Sequence, residues 1–286
     1  MMDLEASFAP LISEDEKPKQ QTGVFPVEVI EIRRMPIHSI TLDGTVKYIL
    51  ESSRSGHGGW VVTPNLDILR RYSKCVSFRN LVATSTLNVA DGMPLVWLSR
   101  CLGTPVPERI NGTDLMVEVC KVAATAGDAV CFLGGNEGTA EKTSKNLVGR
   151  FPGLNVVGCL CPEFGFEKDL EAIKYIADEI AAMQPEIVFV GLGSPKQDVL
   201  INMLRLQFPG IWWLGVGVSF SFISGDLVRA PNWAKSNGLE WLYRLIAEPK
   251  RLARRYLVEG IPFFAITIAV CIFKRVFGTK QSKIVE

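Results

Sequence analysis

Histidine is almost missing from this chain. His38 and His57 are the only two among 286 residues, which excludes a metal centre built on several histidines. Charge of one sign is missing too. Thirty-one Lys+Arg stand against 30 Asp+Glu, a formal net charge of +1, so the strongly basic face of a dedicated nucleic-acid binder is not expected. The seven cysteines include no Cys-x-x-Cys pair, and most sit inside apolar runs such as Ala129-Val130-Cys131-Phe132-Leu133. They read as small buried hydrophobes in a reducing compartment; Cys159-Leu160-Cys161 has no partner ligands at metal-binding spacing. The first 27 residues lack a basic segment followed by an apolar one, so no secretory signal is expected and a cytoplasmic setting is. No Asp-x-Asp closes a strand in the α/β region, so no Mg²⁺ or Mn²⁺ site made by paired carboxylates is expected.

Apolar residues are plentiful, at 48%, with 21% charged, which allows a large core. The mean hydropathy of +0.20 is high for a soluble enzyme. Residues 1–27 are polar and read as a mobile lead. From there, seven short apolar runs (27–32, 60–63, 85–89, 129–133, 154–159, 186–190 and 211–216) have strand length, and several are apolar throughout. Helical patterns fall between them at 93–101, 112–126, 137–151, 168–183 and 197–208. This alternation predicts a Rossmann-like, doubly wound, mostly parallel sheet over residues 28–238.

Residues 239–286 differ. They carry nine Lys+Arg and four Glu, a local balance of +5, around a 13-residue apolar stretch at 261–273. A spanning helix needs about 20 apolar residues, so this stretch reads as a helix lying in a bilayer interface. A helix packed on the domain or on a second subunit is the alternative.

In open parallel sheets, ligands bind beyond the carboxyl ends of the strands. There the sequence places Thr63-Pro64-Asn65, Ala90-Asp91-Gly92, Gly134-Gly135, Gly191-Leu192-Gly193-Ser194-Pro195-Lys196-Gln197 and Gly215-Val216-Gly217. The glycine pairs lack the third glycine of a dinucleotide fingerprint, so no nicotinamide cofactor is supported. Asp91 has two readings, an N-cap for the following helix and a carboxylate base in a cleft. Arg109 also has two: a pair with Glu108 or Asp114, and a fork for a diphosphate. Thr113 or Gly112 is expected to cap the helix that follows.

Taken together, Thr63-x-Asn65, Asn88-x-Ala90-Asp91-Gly92-x-x-x-Val96-Trp97, Pro107-Glu108-Arg109-x-x-Gly112-x-Asp114-Leu115, Gly191-x-Gly193-x-Pro195-Lys196-Gln197, Gly215-x-Gly217 and Arg229-Ala230-Pro231-x-Trp233 form a series. That series resembles the WecG/TagA/CpsF glycosyltransferases, glycosyltransferase family 26, over residues 29–256. The resemblance implies inverting transfer of a sugar from a UDP-sugar donor to a polyprenyl-diphosphate-linked acceptor, in envelope or exopolysaccharide assembly. It implies peripheral attachment to the cytoplasmic membrane face and no cofactor or obligatory metal. It makes Asp91 the general base, sets Thr63 and Asn65 along the sugar or acceptor pocket, and puts Arg109 and Gln197 near donor and acceptor. It also gives Arg244, Arg251 and Arg254, on a C-terminal appendage, to the site. The apolar stretch at 261–273 runs beyond that appendage. A nucleotide-dependent oxidoreductase and a non-catalytic, membrane-docked partner of a polysaccharide complex are the rival readings. The transferred sugar (glucose, N-acetylmannosamine or its uronic acid) and homo-oligomerisation are left open.

Overall fold

The computed structural model describes residues 25–231, 233–234 and 238–277, with the side chain of Arg251 outside that set. Most of the expected lead therefore lies outside the described residues. Its last part does not: the Phe25 ring meets Tyr48 edge-on at 5.2 Å, and Val27 packs on the core.

Six of the seven apolar runs form one sheet. The first does not. It is β1 (Val29–Ile32), paired antiparallel with β2 (Met35–His38) in a separate hairpin. Arg33 and Arg34 make its two-residue turn with φ of 52° and 67°. Paired arginines are not the usual residues for two left-handed positions, so the turn gave no sequence signal. The Tyr72 hydroxyl donates to the Arg34 carbonyl at 3.1 Å and holds it.

The sheet strands are β3 (Gly59–Val62), β4 (Leu87–Asn88), β5 (Ala129–Gly134), β6 (Asn155–Leu160), β7 (Ile187–Gly191) and β8 (Trp212–Gly215). Their order is β4-β3-β8-β7-β5-β6, and each neighbouring pair is parallel. The two-residue period sends alternate side chains to opposite faces. Val62, Leu133, Val190 and Trp213 enter one core; Val61, Phe132, Phe189 and Leu214 enter the other. Burial on both faces explains why the runs are apolar throughout.

Helices cover both faces. On the second core lie α1 (Leu42–Arg54) and, further along, α5 (Gly112–Ala126) and α6 (Thr139–Arg150). On the first lie α2 (Leu66–Lys74), α3 (Val76–Val82), α4 (Met93–Leu102), α7 (Leu170–Met183) and α8 (Lys196–Leu204). A short α9 (Ser219–Ser224) follows β8. The seven cysteines are free, and burial pushes the Cys131 thiol up to about 12.

The C-terminal arm consists of α10 (Glu240–Ala247), α11 (Pro249–Ala253), a π-helical stretch Arg254–Gly260 and α12 (Ile261–Phe277). From Arg254 to Phe277 the arm is helical for 24 residues, and its most apolar 18-residue window has a mean hydropathy of 2.1, so by length and composition it could cross a membrane. That corrects the length read from the sequence, where only the uninterrupted apolar stretch was counted. Phe263, Thr267 and Cys271, spaced i, i+4, i+8, are buried, and α12 packs along α4. Ile266, Ile272, Phe273, Val276 and Phe277 stay exposed.

Candidate functional site

The carboxyl ends of β3, β4, β7 and β8 open into a cleft of about 450 Å³, which α10, the π-helical stretch and α12 close from above. Thr63, Asn65, Asp91, Arg109, Gln197 and Arg244 line it.

Asp91 follows β4, and its backbone N–H is tied to the Pro64 carbonyl at 2.9 Å. It does not cap α4. The cap position belongs to Gly92, with φ of 99° and no side chain to offer. The Asp91 carboxylate is thus left for the cleft, where Asn111 Nδ2 donates to Oδ1 at 3.3 Å. Burial pushes its pKa up to about 7; the Arg109 charge opposes this, Glu240 adds to it and Arg244 opposes it. A carboxyl poised there exchanges a proton near neutral pH, as a general base must.

Arg109 pairs with neither Glu108 nor Asp114. Its Nη1 meets Glu240 Oε2 of α10 at 2.8 Å, in a pair whose side chains are 15% and 10% exposed. Glu108 instead accepts the Leu42 N–H at 2.7 Å, and Asp114 takes a two-pronged Arg229 contact at 2.7 Å on each oxygen. The cap of α5 is Asn111, whose Oδ1 accepts the Thr113 N–H at 2.8 Å, not Thr113 or Gly112 as expected.

Thr63 and Asn65 line the cleft, each with a side-chain oxygen already engaged. The Thr63 hydroxyl donates to the Gly215 carbonyl at 3.1 Å, and Asn65 Oδ1 caps α2 by accepting from Asp67 and Ile68 at 3.0 and 3.1 Å. The Thr63 oxygen lone pairs and the Asn65 amide N–H₂ are what these side chains have left to offer a ligand. Gln197, buried at 4% exposure, clamps the two glycine loops: its Oε1 accepts from Gly193 N and Gly217 N, each at 3.1 Å. A Cβ on Gly215 would stand 2.7 Å from Gln197 Nε2, which is why that strand ends in glycine.

The arginines of the arm divide differently from the expected set. Arg244 reaches the cleft, its guanidinium over the Phe222 ring at 5.6 Å and its Nε buried without a hydrogen-bond partner. Arg254 does not. Its side chain is 85% exposed and faces Glu259 at 3.5 Å. Arg255 takes the place in the cleft, pairing with Asp67 at 2.9 Å. The arm between Arg244 and Arg255 is not one α-helix: it is interrupted at Glu248-Pro249 and passes into the π-helical stretch at Arg254. The side chain of Arg251 lies outside the described residues.

Sequence reading missed Asn111, Glu240, Arg70 and Arg255. Arg70 lines the cleft from α2, bonded to Asp67 at 3.0 Å, and its Nε, like that of Arg255, is buried without a partner. Nothing in the local sequence marks these residues for the cleft, because each has a partner far away in the chain: Asp91 for Asn111, Arg109 for Glu240, Glu259 for Arg70 and Asp67 for Arg255. Asp198 was also missed. It is fully buried at the start of α8, and burial raises its pKa to about 6. Among the described residues, no three His, Cys, Asp or Glu side chains gather as a metal site needs.

The cleft thus combines a neutral-range carboxyl, at least four guanidinium groups (Arg70, Arg109, Arg244 and Arg255) and glycine-edged loops. The chain also has relatives among known proteins. The model of the glycosyl transferase WecG/TagA/CpsF family matches residues 30–276. A protein of Bacillus spizizenii strain W23, named N-acetylglucosaminyldiphosphoundecaprenol N-acetyl-beta-D-mannosaminyltransferase, is 32% identical over 69% of this chain and 74% of its own length. Proteins of the same name from Staphylococcus aureus NCTC 8325 and Bacillus subtilis 168 are 30% and 29% identical, over 76% and 74% of this chain and 82% and 79% of their own lengths. The chain belongs to the WecG/TagA/CpsF glycosyltransferase family.

Proposed function

We propose that this family member moves a sugar from a UDP-sugar to a sugar carried on a polyprenyl diphosphate, with inversion and without a divalent metal, on the cytoplasmic face of the membrane. The observation that carries the reading is Asp91: a carboxyl raised to about 7, aimed into a cleft otherwise rich in guanidinium groups. The relatives' names supply the acceptor class, a diphosphoundecaprenol-linked sugar.

In the proposed reaction the acceptor hydroxyl gives its proton to the Asp91 carboxylate as its oxygen attacks the anomeric carbon. The bond from that carbon to UDP breaks on the opposite side, and UDP leaves with the bonding electrons. Arg244 and Arg109, which both line the cleft and whose charges both act on Asp91, would neutralise the departing charge. The cleft carboxylates Asp67 and Glu240 are already engaged by arginines, which leaves them poorly suited to hold a cation. Thr63, Asn65 and Gln197 hold the strand ends and glycine loops against which the sugars would lie. The exposed apolar side of α12, flanked by Lys274 and Arg275, suits a bilayer surface, because its opposite side is already packed on α4.

The test is a panel of UDP-sugars assayed for UDP release with a short-chain, diphosphate-linked N-acetylglucosamine, with and without EDTA. Release that depends on acceptor and survives the chelator is expected. Release that collapses with EDTA and returns with Mg²⁺ or Mn²⁺ overturns metal independence, and no release with any donor overturns the transferase reading.

A further inference from the structure

The cleft has two ends of different chemistry. Around Asp91 it is polar. Beyond Met93 its walls are apolar: Leu66 from α2, Met93 and Trp97 from α4, and Ile261 and Phe264 from α12. Trp97 lies one helical turn beyond Met93, about 6 Å further from the carboxylate end. Its ring centroid is 6.1 Å from that of Phe264, so α4 and α12 face each other across this end. The structure also places two cations at the join. Arg70 and Arg255 both bind Asp67, beside Leu66, and each keeps a buried Nε–H without a partner. Glu259, the other anion of this cluster, accepts from Arg70 and immediately precedes Gly260 and Ile261.

A buried, unpartnered guanidinium N–H is costly unless an acceptor arrives, and two of them within one cluster match the oxygens of a diphosphate. An apolar slot starting next to them matches what is bonded to the diphosphate in a lipid-linked sugar. Resting on the transferase reading above, we propose that the α4–α12 end of the cleft binds the first isoprene units of the acceptor lipid, with Arg70 and Arg255 on its diphosphate. The linear order along the cleft is then sugar at Asp91, diphosphate at Arg70 and Arg255, and lipid between Trp97 and Phe264. The same helix α12 that walls the slot carries the exposed residues Phe273 and Phe277 at its far end, so a lipid can pass from a bilayer into the slot along one apolar helix. On this account the enzyme selects its acceptor by the lipid's first units as well as by the sugar.

The experiment compares two acceptors with the same diphosphate-linked sugar, one carrying a methyl group and one a farnesyl group, on the full chain in detergent. The parent is expected to prefer the farnesyl acceptor through a lower KM. Phe264→Ser should reduce that preference at least tenfold by raising KM for the farnesyl acceptor, with kcat/KM for the methyl acceptor little changed; Phe264→Leu, which stays apolar, should restore most of it. An unchanged preference in Phe264→Ser overturns the proposal. Equal loss on both acceptors also overturns it, because the residue would then serve only the fold. A second readout does not need turnover: geranylgeranyl diphosphate should quench tryptophan fluorescence in the parent and much less in Trp97→Phe. If neither acceptor is a substrate for the parent yet the quench is present, the transferase reading fails and the slot stands; if transfer proceeds and the quench is absent, the slot fails alone.

Discussion

Asn111 holds Asp91 with one end of its amide and the start of α5 with the other. Its Nδ2 donates to Asp91 Oδ1 at 3.3 Å, and its own Oδ1 accepts the Thr113 N–H at 2.8 Å. The carboxylate's direction is therefore tied to the cap of a helix that starts 21 residues later in the chain. A donor to the charged form lowers a carboxyl pKa, so Asn111 works against the burial that raises it.

The two roles separate in Asn111→Ser. Serine caps helices about as well as asparagine, so the melting temperature should change little. The donor to Asp91 is lost, so the acid limb of the pH–rate profile should move above its parent position near pH 7. An unmoved limb in a variant that stays folded would mean the amide does not reach the carboxylate in solution.

Asp91→Asn should cut turnover by about a hundredfold or more. In the parent, kcat/KM should rise about tenfold per pH unit below pH 7 and level off above it, since only the ionised form accepts a proton. Stability runs the other way. The folded-state pKa of about 7 lies above the ordinary 3.8, so the folded protein binds this proton more tightly, and Asp91's contribution to stability falls as pH rises from about 3.8 to 7. At pH 8 the asparagine variant should melt no lower than the parent. A lower melting point would mark Asp91 as part of the scaffold.

The sheet was legible because burial on both faces leaves strands apolar throughout, and six of seven runs joined it. The hairpin escaped because Arg33-Arg34 carries no turn signal, and α1 to α3 were not anticipated at all. Within the site, Asp91 was read in two ways from local sequence, and the backbone at Gly92 decides between them by taking the cap position itself. Arg109 was read either as a partner of Glu108 or Asp114 or as a fork for a diphosphate; its partner Glu240 is 131 residues away. Arg255 was hidden for another reason. The resemblance matched Arg254, one position earlier, and only the folded arm turns Arg255 to Asp67 while Arg254 stays exposed.

The placement of Arg255 rather than Arg254 in the cleft makes a prediction about the arm. Arg254→Ala should leave transfer within about twofold of the parent, because an 85% exposed side chain paired only with Glu259 at 3.5 Å contributes little. Arg244→Ala and Arg255→Ala should each lose tenfold or more on a water-soluble acceptor. UDP release by the three variants decides it: a large loss in Arg254→Ala and none in Arg255→Ala would reverse the assignment.

Gly215→Ala tests the Gln197 clamp from a position whose new methyl group would meet Gln197 and not the ligand. Its Cβ would come 2.7 Å from Gln197 Nε2, so the amide must shift and release the Gly193 or Gly217 N–H. Turnover should fall about tenfold with the sheet intact by circular dichroism. Turnover equal to the parent's would show that the loops hold their shape without the clamp.

The exposed end of α12 is the feature most open to a direct physical test. Phe273 and Phe277, 63% and 72% exposed, meet at a tilt with ring centroids 4.8 Å apart, so replacing both with glutamate should not unfold the protein. Full burial of an aromatic side chain contributes roughly 1.5–3 kcal/mol, and two half-buried rings in a bilayer surface would contribute about as much as one. The added negative charges also oppose anionic head groups, which Lys274 and Arg275 otherwise attract. Co-sedimentation of Phe273→Glu/Phe277→Glu with vesicles rich in anionic lipid should therefore fall at least tenfold. Transfer to a water-soluble acceptor should persist, because the cleft is lined by Ile261 and Phe264 at the other end of the helix. Vesicle binding at the parent level would assign this apolar face to another protein surface and move the membrane contact elsewhere on the arm.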